Sequence, residues 1–152
     1  MGVSGSGKST IAQMLAEALK IKYADADDFH PSSNIQKMQA GFPLNDEDRS
    51  GWLQAIHQFV EEELEKNSVV IACSALKEAY RQILSKDLES VWIYLKGNFE
   101  LIQSRMQARD HFMPPSLLQS QFDALEEPKD AIVLDIKKPA RELLQELLQS
   151  LK

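Results

Sequence analysis

Apolar residues in this chain follow two spacings, one typical of buried strands and one typical of amphipathic helices. Short apolar-rich segments have the length of strands, at 21–24, 69–73, 91–95 and 131–136, and the run at 69–73 is continuously apolar, as in strands buried on both faces of a parallel sheet. Between and after these runs, apolar residues recur every three to four positions, most clearly at 11–19, 52–64 and 140–151. The alternation predicts an α/β fold, a three-layer arrangement of a parallel sheet with helices on both faces.

A complete G-x-x-x-x-G-K-[ST] phosphate-binding pattern opens the chain. Its glycines let successive backbone N–H groups turn inward around a phosphate chain. In such loops the lysine reaches the β- and γ-phosphates, the serine hydroxyl binds Mg²⁺, and the following helix points its N-terminus at the phosphates. The predicted nucleotide-phosphate site comprises Gly2, Val3, Ser4, Gly5, Ser6, Gly7, Lys8, Ser9 and Thr10.

Three carboxylates follow the first predicted strand, at Asp25, Asp27 and Asp28. They form either a solvated acidic turn or, beside a phosphate loop, a group that holds Mg²⁺ and its waters and accepts a proton from an attacking hydroxyl. If the extended backbone of the strand continues, Asp25 and Asp27 face the same side and Asp28 faces away.

Basic residues mark the other candidate positions for substrate. Arg49, at the head of a long helix, is either a surface ion-pair partner or a clamp for a substrate carboxylate. Ser74, Lys77 and Arg81 come directly after a buried strand, where ligands bind in open α/β sheets, and we expect a helix from about Ala75.

A second basic group precedes a proline-bounded segment. Arg105 and Arg109 lie four residues apart on one helix face, and His111 follows them. The two arginines are either solvated or belong to a lid, around 105–125, that brings positive charge onto a transferring phosphoryl group and excludes water.

Composition narrows the function classes further. A chain of 152 residues fits one domain over 1–152, and a net charge of −6 argues against a nucleic-acid partner. No apolar run reaches the length of a membrane span, and we expect neither a signal peptide nor a membrane partner. The single cysteine, Cys73, suits a reducing, cytoplasmic compartment and reads as a small buried apolar residue rather than a nucleophile.

Taken together, these motifs resemble the gluconate kinase (gluconokinase) family, relatives of the shikimate and nucleoside monophosphate kinases, over nearly the whole chain. The likeness rests on residues 2–10, 25–31, 34–44, 46–53, 73–81, 111–114 and 120–122. It implies ATP and Mg²⁺ as cofactors and transfer of the γ-phosphoryl group to the 6-hydroxyl of D-gluconate, in a cytosolic homodimer.

The same resemblance implies roles for individual residues. Asp25 and Ser9 support the metal, and Arg105 and Arg109 are the lid arginines of a catalytic set that includes Lys8. Within the acidic segment, the alternation of side chains in extended backbone favours Asp27 as the catalytic base, with Asp28 as its alternative. The implied gluconate contacts are Asp27, His30, Arg49, Ser74, Lys77, Arg81 and His111.

The start of the chain differs from the pattern of this family. The family has an apolar strand before the phosphate loop, central in a sheet of order 2-3-1-4-5, whereas only Met1 precedes Gly2 here. Its absence predicts open strand edges and a chain of lower stability or without activity. One alternative to gluconate phosphorylation is accordingly a nucleotide-binding protein without catalysis. Another is a kinase for shikimate or another small carboxylated substrate, because Arg49 fits a carboxylate on any of them.

Overall fold

The computed structural model of the chain describes residues 1–108 and 115–152. Within them, helices and strands alternate along most of the sequence, as the hydrophobic pattern predicts. The elements are α1 (Lys8–Leu19), β1 (Lys22–Asp25), a 3₁₀ helix (Ala26–Phe29), α2 (Ser32–Gln39), α3 (Asp46–Leu64), β2 (Val69–Ala72), α4 (Glu78–Ser85), β3 (Ile93–Lys96), α5 (Phe99–Ala108), α6 (Pro115–Ala124), β4 (Ile132–Asp135) and α7 (Ala140–Ser150).

The strands form two parallel pairs. β1 pairs with β2 from Lys22↔Val69 to Asp25↔Ala72, and β3 pairs with β4 from Ile93↔Ile132 to Lys96↔Asp135. The backbone before the phosphate loop lies between the pairs, because Leu95 N donates to Met1 O at 2.9 Å and Gly2 N donates to Ser74 O at 3.2 Å. The α/β class with parallel strands is thus confirmed, while the complete order 2-3-1-4-5 stays a prediction.

Helices cover both faces of the strands. Alternate residues of one strand enter different apolar clusters: Val70 packs with α1, α5 and α7, whereas Ile71 packs with α3 and α4. The same alternation separates Leu95 from Tyr94 in β3. Successive side chains of a strand point to opposite faces, so the strands form the middle layer of three.

Two local features place the functional residues. A capping box begins α3, because Asn45 Oδ1 accepts from Asp48 N at 2.8 Å and Asp48 Oδ2 accepts from Asn45 N at 3.0 Å. The helix after β2 starts at Glu78, so the expectation of a start near Ala75 is wrong. Ala75 has a left-handed φ of 46° and Lys77 is extended, which keeps residues 74–77 as a loop beside the strand ends. In the described part of the chain, no helix is long and apolar enough to cross a membrane.

Candidate active site

An open cleft of about 730 Å³ lies where the phosphate loop meets the carboxyl ends of β1 and β2. The α2–α3 connection, the first turns of α3, and α5 and α6 form its other walls. Its lining residues are Ser4, Gly5, Gly7, Lys8, Ser9, Thr10, Asp25, Asp27, His30, Met38, Gln39, Pro43, Leu44, Arg49, Trp52, Ala72, Cys73, Ser74, Leu76, Arg105, Met106, Leu117, Ser120 and Gln121.

The phosphate loop has a conformation that requires glycine at two points. Gly5 has φ 80°, and a Cβ there would lie 2.6 Å from Met106 Cγ on α5. Gly7 has φ 96°, and the space where its Cβ would point is open. The loop therefore packs closely against α5 on one side and leaves room for a ligand at the start of α1, whose N-terminal N–H groups suit a phosphate.

Not all the predicted loop residues face the cleft. Lys8 does, and its Nζ donates to Val3 O at 2.9 Å across the loop. Burial lowers the pKa of Lys8, which the nearby Asp27 and Asp25 partly oppose. Val3 and Ser6 are loop residues whose side chains are buried away from the cleft. The Ser6 hydroxyl has no hydrogen-bond partner among the described residues.

A pair of hard oxygen atoms lies at the end of the loop. Ser9 Oγ donates to Asp25 Oδ2 at 2.9 Å, and Tyr23 donates to the same oxygen at 3.2 Å. Mg²⁺ commonly takes one or two protein oxygens and completes its shell with substrate phosphates and water, so the donor set at Ser9 and Asp25 fits this ion. The part of the chain described here contains no group of three or more His, Cys, Asp or Glu side chains suited to a metal.

The carboxylates after β1 reach the cleft by a different path from the one expected. The extended backbone does not continue, because residues 26–29 form the 3₁₀ helix, and Asp25 caps it by accepting from Asp27 N at 2.9 Å. Asp27 still lines the cleft and Asp28 does not. The Asp27 side chain is 82% exposed within the open cleft. The surrounding walls nevertheless displace part of its hydration, which raises its pKa, and the neighbouring Asp25 carboxylate raises it further.

His30 lies beside Asp27 in a fixed orientation. Its ring stacks on Trp52, with centroids 4.2 Å apart and planes 12° from parallel, and its Nε2 is 3.9 Å from Asp27 Oδ1. Trp52 in turn donates from Nε1 to Ala26 O at 2.6 Å, which ties α3 to the 3₁₀ helix. Burial lowers the pKa of His30, the Asp27 carboxylate opposes this shift, and Arg49 adds to it.

Arg49 belongs to a chain of polar contacts that links α3 to α4. Its Nη1 donates to Tyr80 Oη at 3.1 Å, the guanidinium lies 5.3 Å from the Tyr80 ring centroid, and Tyr80 donates to Asp46. Lys77 Nζ also contacts Asp46, at 3.4 Å. The hydrogen bond from Tyr80 and the charge of Lys77 hold the pKa of Asp46 below its usual range. Arg49 and Lys77 also line a side pocket of about 250 Å³ that shares Pro43, Leu44, Ser120 and Gln121 with the cleft.

Of the remaining candidates after β2, Ser74 lines the cleft and Arg81 does not. Arg81 is 3% exposed, and its guanidinium donates to Ala75 O at 2.7 Å, to Glu126 O at 2.8 Å and to Glu78. These contacts place its charge behind the loop that carries Ser74. The structure thus argues against the expected direct contact of Arg81 with substrate and gives this residue a supporting position.

The lid region is described in part. Arg105, on α5, lines the cleft and donates to Ile136 O after β4. Gln121, on α6, reaches across to the phosphate loop: its Oε1 accepts from Ser4 N at 2.7 Å and its Nε2 lies 3.1 Å from Ser4 Oγ. Arg109 and His111, expected as lid and substrate residues, lie outside the described residues.

Several residues of the cleft received no role from the sequence. They are Trp52 and Gln121, which line the cleft, and three residues that contact cleft or side-pocket residues from behind or beside them, namely Asn34, Asp46 and Tyr80. A motif shows that a position matters, but the contact that gives it a role joins residues far apart in the chain, as for Tyr80 and Asp46, 34 positions apart.

A phosphate loop at a helix N-terminus, facing an aspartate and an arginine across one cleft between parallel strands and helices, defines the class of P-loop kinases for small molecules. The family model described as shikimate kinase matches residues 4–152. A probable gluconokinase of Rattus norvegicus is 43% identical, over 100% of this chain and 95% of that protein. The thermoresistant gluconokinase of Escherichia coli is 42% identical, over 100% of this chain and 91% of that protein.

A solved structure agrees with these relatives. The gluconokinase from Sinorhizobium meliloti superposes with a TM-score of 0.90 at 40% identity, over 99% of this chain and 88% of that one. The chain belongs to the gluconokinases, within the shikimate kinase group of P-loop kinases.

Proposed function

We propose that this protein is a gluconokinase that phosphorylates D-gluconate at its 6-hydroxyl with ATP, giving ADP and 6-phospho-D-gluconate. The observation that carries the proposal is that one cleft brings together Lys8 and Ser9 of the phosphate loop, the Asp27 carboxylate and the Arg49 guanidinium. A phosphoryl-transfer site needs the first two, a hydroxyl nucleophile needs the third, and a carboxylated substrate suits the fourth.

Each of these residues has a defined task in the transfer. Asp27 orients the 6-hydroxyl and takes its proton as the oxygen bonds to the γ-phosphorus, while the bond to the oxygen bridging to the β-phosphate breaks. Lys8, held at the mouth of the loop by Val3 O, balances the negative charge on the transferring group. Arg105, which lines the cleft from α5 and is hydrogen-bonded to Ile136 O, adds positive charge there.

Ser9 and Asp25 are the residues that would hold Mg²⁺. At this position Mg²⁺ would supply positive charge against the phosphates during transfer. Tyr23 keeps the Asp25 carboxylate in place through its hydroxyl.

Arg49 fits the carboxylate end of the substrate. Its Nη1 is held by Tyr80, and the planar guanidinium is suited to pairing a carboxylate with two parallel hydrogen bonds. The side pocket next to Arg49, with Asp46 and Lys77 at its wall, offers partners for the hydroxyl groups of a sugar acid. We further propose a cytoplasmic location, which the family resemblance and the single thiol of Cys73 support, and a homodimer, which the family resemblance alone supports.

The test is an ATP-dependent assay with a substrate panel. D-gluconate, its analogue D-glucitol, in which a CH₂OH group replaces the carboxylate, and shikimate are compared by ADP release, and the product is identified by ³¹P NMR. We expect turnover with gluconate and a kcat/KM at least about tenfold lower with glucitol, because a hydrogen-bonded charge pair contributes on the order of 1.5 kcal/mol or more. Faster turnover of shikimate would move the protein to another kinase of its group, and ATP binding without turnover would make it a non-catalytic nucleotide binder.

A further inference from the structure

The buried amide of Asn34 bears directly on the chemistry of the cleft. Asn34 is 4% exposed and lies on α2, outside the set of residues that line the cleft. Its Nδ2 lies 2.9 Å from Asp48 O and 3.2 Å from His30 Nδ1. One amide nitrogen therefore joins the backbone of α3 to the ring of His30.

The orientation of that amide follows from its first partner. A backbone carbonyl such as Asp48 O can only accept a hydrogen bond, so the atom facing it has to be the NH₂ group of Asn34. The second hydrogen of the same NH₂ group is then directed at His30 Nδ1, which has to accept it. A neutral imidazole with an accepting Nδ1 carries its proton on Nε2.

The surroundings of Asn34 keep this arrangement in place. Asp48 is anchored by the capping box of α3 and by Lys37, whose Nζ lies 2.6 Å from Asp48 Oδ2. On the cleft side, the His30 ring is clamped against Trp52, and its side chain is only 4% exposed. The charged groups that face the ring are Asp27 and Arg49. Neither ring rotation nor a flip of the amide satisfies all of these contacts.

We propose that Asn34 is a positioning residue that locks His30 in the Nε2–H tautomer, so that His30 serves the cleft as a hydrogen-bond donor and not as a proton acceptor. Its Nε2–H points to the side of Asp27, 3.9 Å from Oδ1, a separation that leaves room for a water or a substrate hydroxyl to bond to both. A donor there and an acceptor at Asp27 orient one hydroxyl oxygen. The arrangement also leaves Asp27, not His30, as the group of this pair that can take the proton.

The tautomer is measured without any substrate, by long-range ¹H–¹⁵N correlation spectra of the protein above the pKa of His30. The chain has three histidines, and the His30 signals are assigned by their loss in His30→Gln. His57, whose Nε2 lies 3.0 Å from Lys86 O, has to donate to that carbonyl and is an internal reference for the Nε2–H pattern. We expect His30 to show the same pattern as His57. The Nδ1–H pattern at His30 in the unsubstituted protein would overturn the proposal.

Variants of Asn34 test whether this residue sets the tautomer of His30. Asn34→Leu keeps the approximate volume without a donor and should give a mixture of His30 tautomers, while Asn34→Asp places an acceptor at Nδ1 and should shift His30 to Nδ1–H. The His57 pattern should not change in either. If Asn34→Asp does not fold, Asn34→Leu and the spectrum of the unsubstituted protein still decide. An unchanged His30 tautomer in folded Asn34→Leu would show that Asn34 is merely structural.

The role of His30 as a hydrogen-bond donor to substrate rests on the proposed function, and kcat is the quantity that tests it. The amide nitrogen of Gln reaches about as far as His Nε2, whereas that of Asn reaches only to Nδ1. A donor role therefore predicts that His30→Gln retains more kcat than His30→Asn, by about two- to tenfold, the range of one net hydrogen bond. Equal losses in both would contradict the donor role. Absence of gluconate turnover in the unsubstituted protein would defeat the proposed function but leave the tautomer result standing.

Discussion

The two walls of the cleft are built in different ways. The phosphate-loop wall comes from the contiguous residues 2–10, and its internal bond from Lys8 to Val3 spans five positions. The opposite wall comes from β1, the 3₁₀ helix, α2, α3 and α4. Its bonds span 14 positions from Asn34 to Asp48, 26 from Trp52 to Ala26, and 31 from Arg49 to Tyr80.

This difference separates the two tasks of the enzyme. Every nucleotide presents the same phosphates, so a local loop of backbone N–H groups, one lysine and one serine suffices on the nucleotide side. A sugar acid has to be recognised by its carboxylate and its hydroxyl groups, and the side chains that we propose for this task, His30 and Arg49, are oriented by neighbours on other elements. We therefore expect substitutions in the loop to remove catalysis, and substitutions in the opposite wall to change affinity or stability separately.

The largest effect is expected for Lys8→Ala. The substitution removes the fixed cation nearest to the transferring phosphoryl group, and losses of about 10²- to 10³-fold in kcat are usual for such a group. Steady-state kinetics with saturating gluconate measure it, and Lys66→Ala, an exposed lysine at the far end of α3, is the control. A near-normal kcat for Lys8→Ala would remove the phosphate loop from the mechanism.

A smaller and more selective effect is expected for Arg49→Lys. A point charge cannot replace a planar guanidinium, so KM for gluconate should rise about tenfold while KM for ATP changes little. Tyr80→Phe keeps Arg49 but removes the hydroxyl that accepts from Arg49 Nη1 and donates to Asp46, and it should raise the same KM less. Equal increases in KM for both substrates would make Arg49 a structural residue of the wall and not a carboxylate clamp.

For Arg81→Met the effect should appear in stability and not in affinity. The buried guanidinium holds Ala75 O, Glu126 O and Glu78, and its loss should lower the free energy of unfolding by about 2–3 kcal/mol, measured by urea denaturation. KM for gluconate should stay within about twofold at a temperature where the variant is folded. A large increase in KM with unchanged stability would restore the direct substrate contact expected from the sequence.

The smallest effect is expected for thiol reagents. Cys73 is 5% exposed, and burial raises the pKa of its thiol to about 11, so at pH 8 only about one part in 10³ is thiolate. Iodoacetamide at pH 8 should leave the native protein unmodified and fully active, whereas the unfolded protein should take up one label. Rapid labelling of the native protein would show that the loop after β2 opens readily.

The sequence predicts features of the phosphate-loop wall better than the contacts of the opposite wall. The strands, the helices and the phosphate loop depend on residues close together in the chain, so hydrophobic spacing and a glycine pattern are enough to predict them. The prediction that extended backbone continues after Asp25 is wrong, because the Asp25 side chain itself caps a 3₁₀ helix. The position of Arg81 after a buried strand predicts a contact with substrate. Its burial depends on Glu126, distant in sequence, which donates from its backbone to Leu76 O in the loop after β2 and accepts from the Arg81 guanidinium.

The central claim is that Asp27 accepts the proton of the gluconate 6-hydroxyl, and the matched pair Asp27→Asn and Asp28→Asn tests it most directly. Both substitutions remove one carboxylate charge from the same 3₁₀ helix, but only Asp27 lines the cleft. The measurement is kcat for each variant, with ATP affinity determined separately by titration calorimetry. We expect Asp27→Asn to lower kcat by about 10²- to 10⁴-fold with ATP affinity retained, and Asp28→Asn to change kcat by about twofold or less. A larger loss of kcat in Asp28→Asn than in Asp27→Asn would contradict the account.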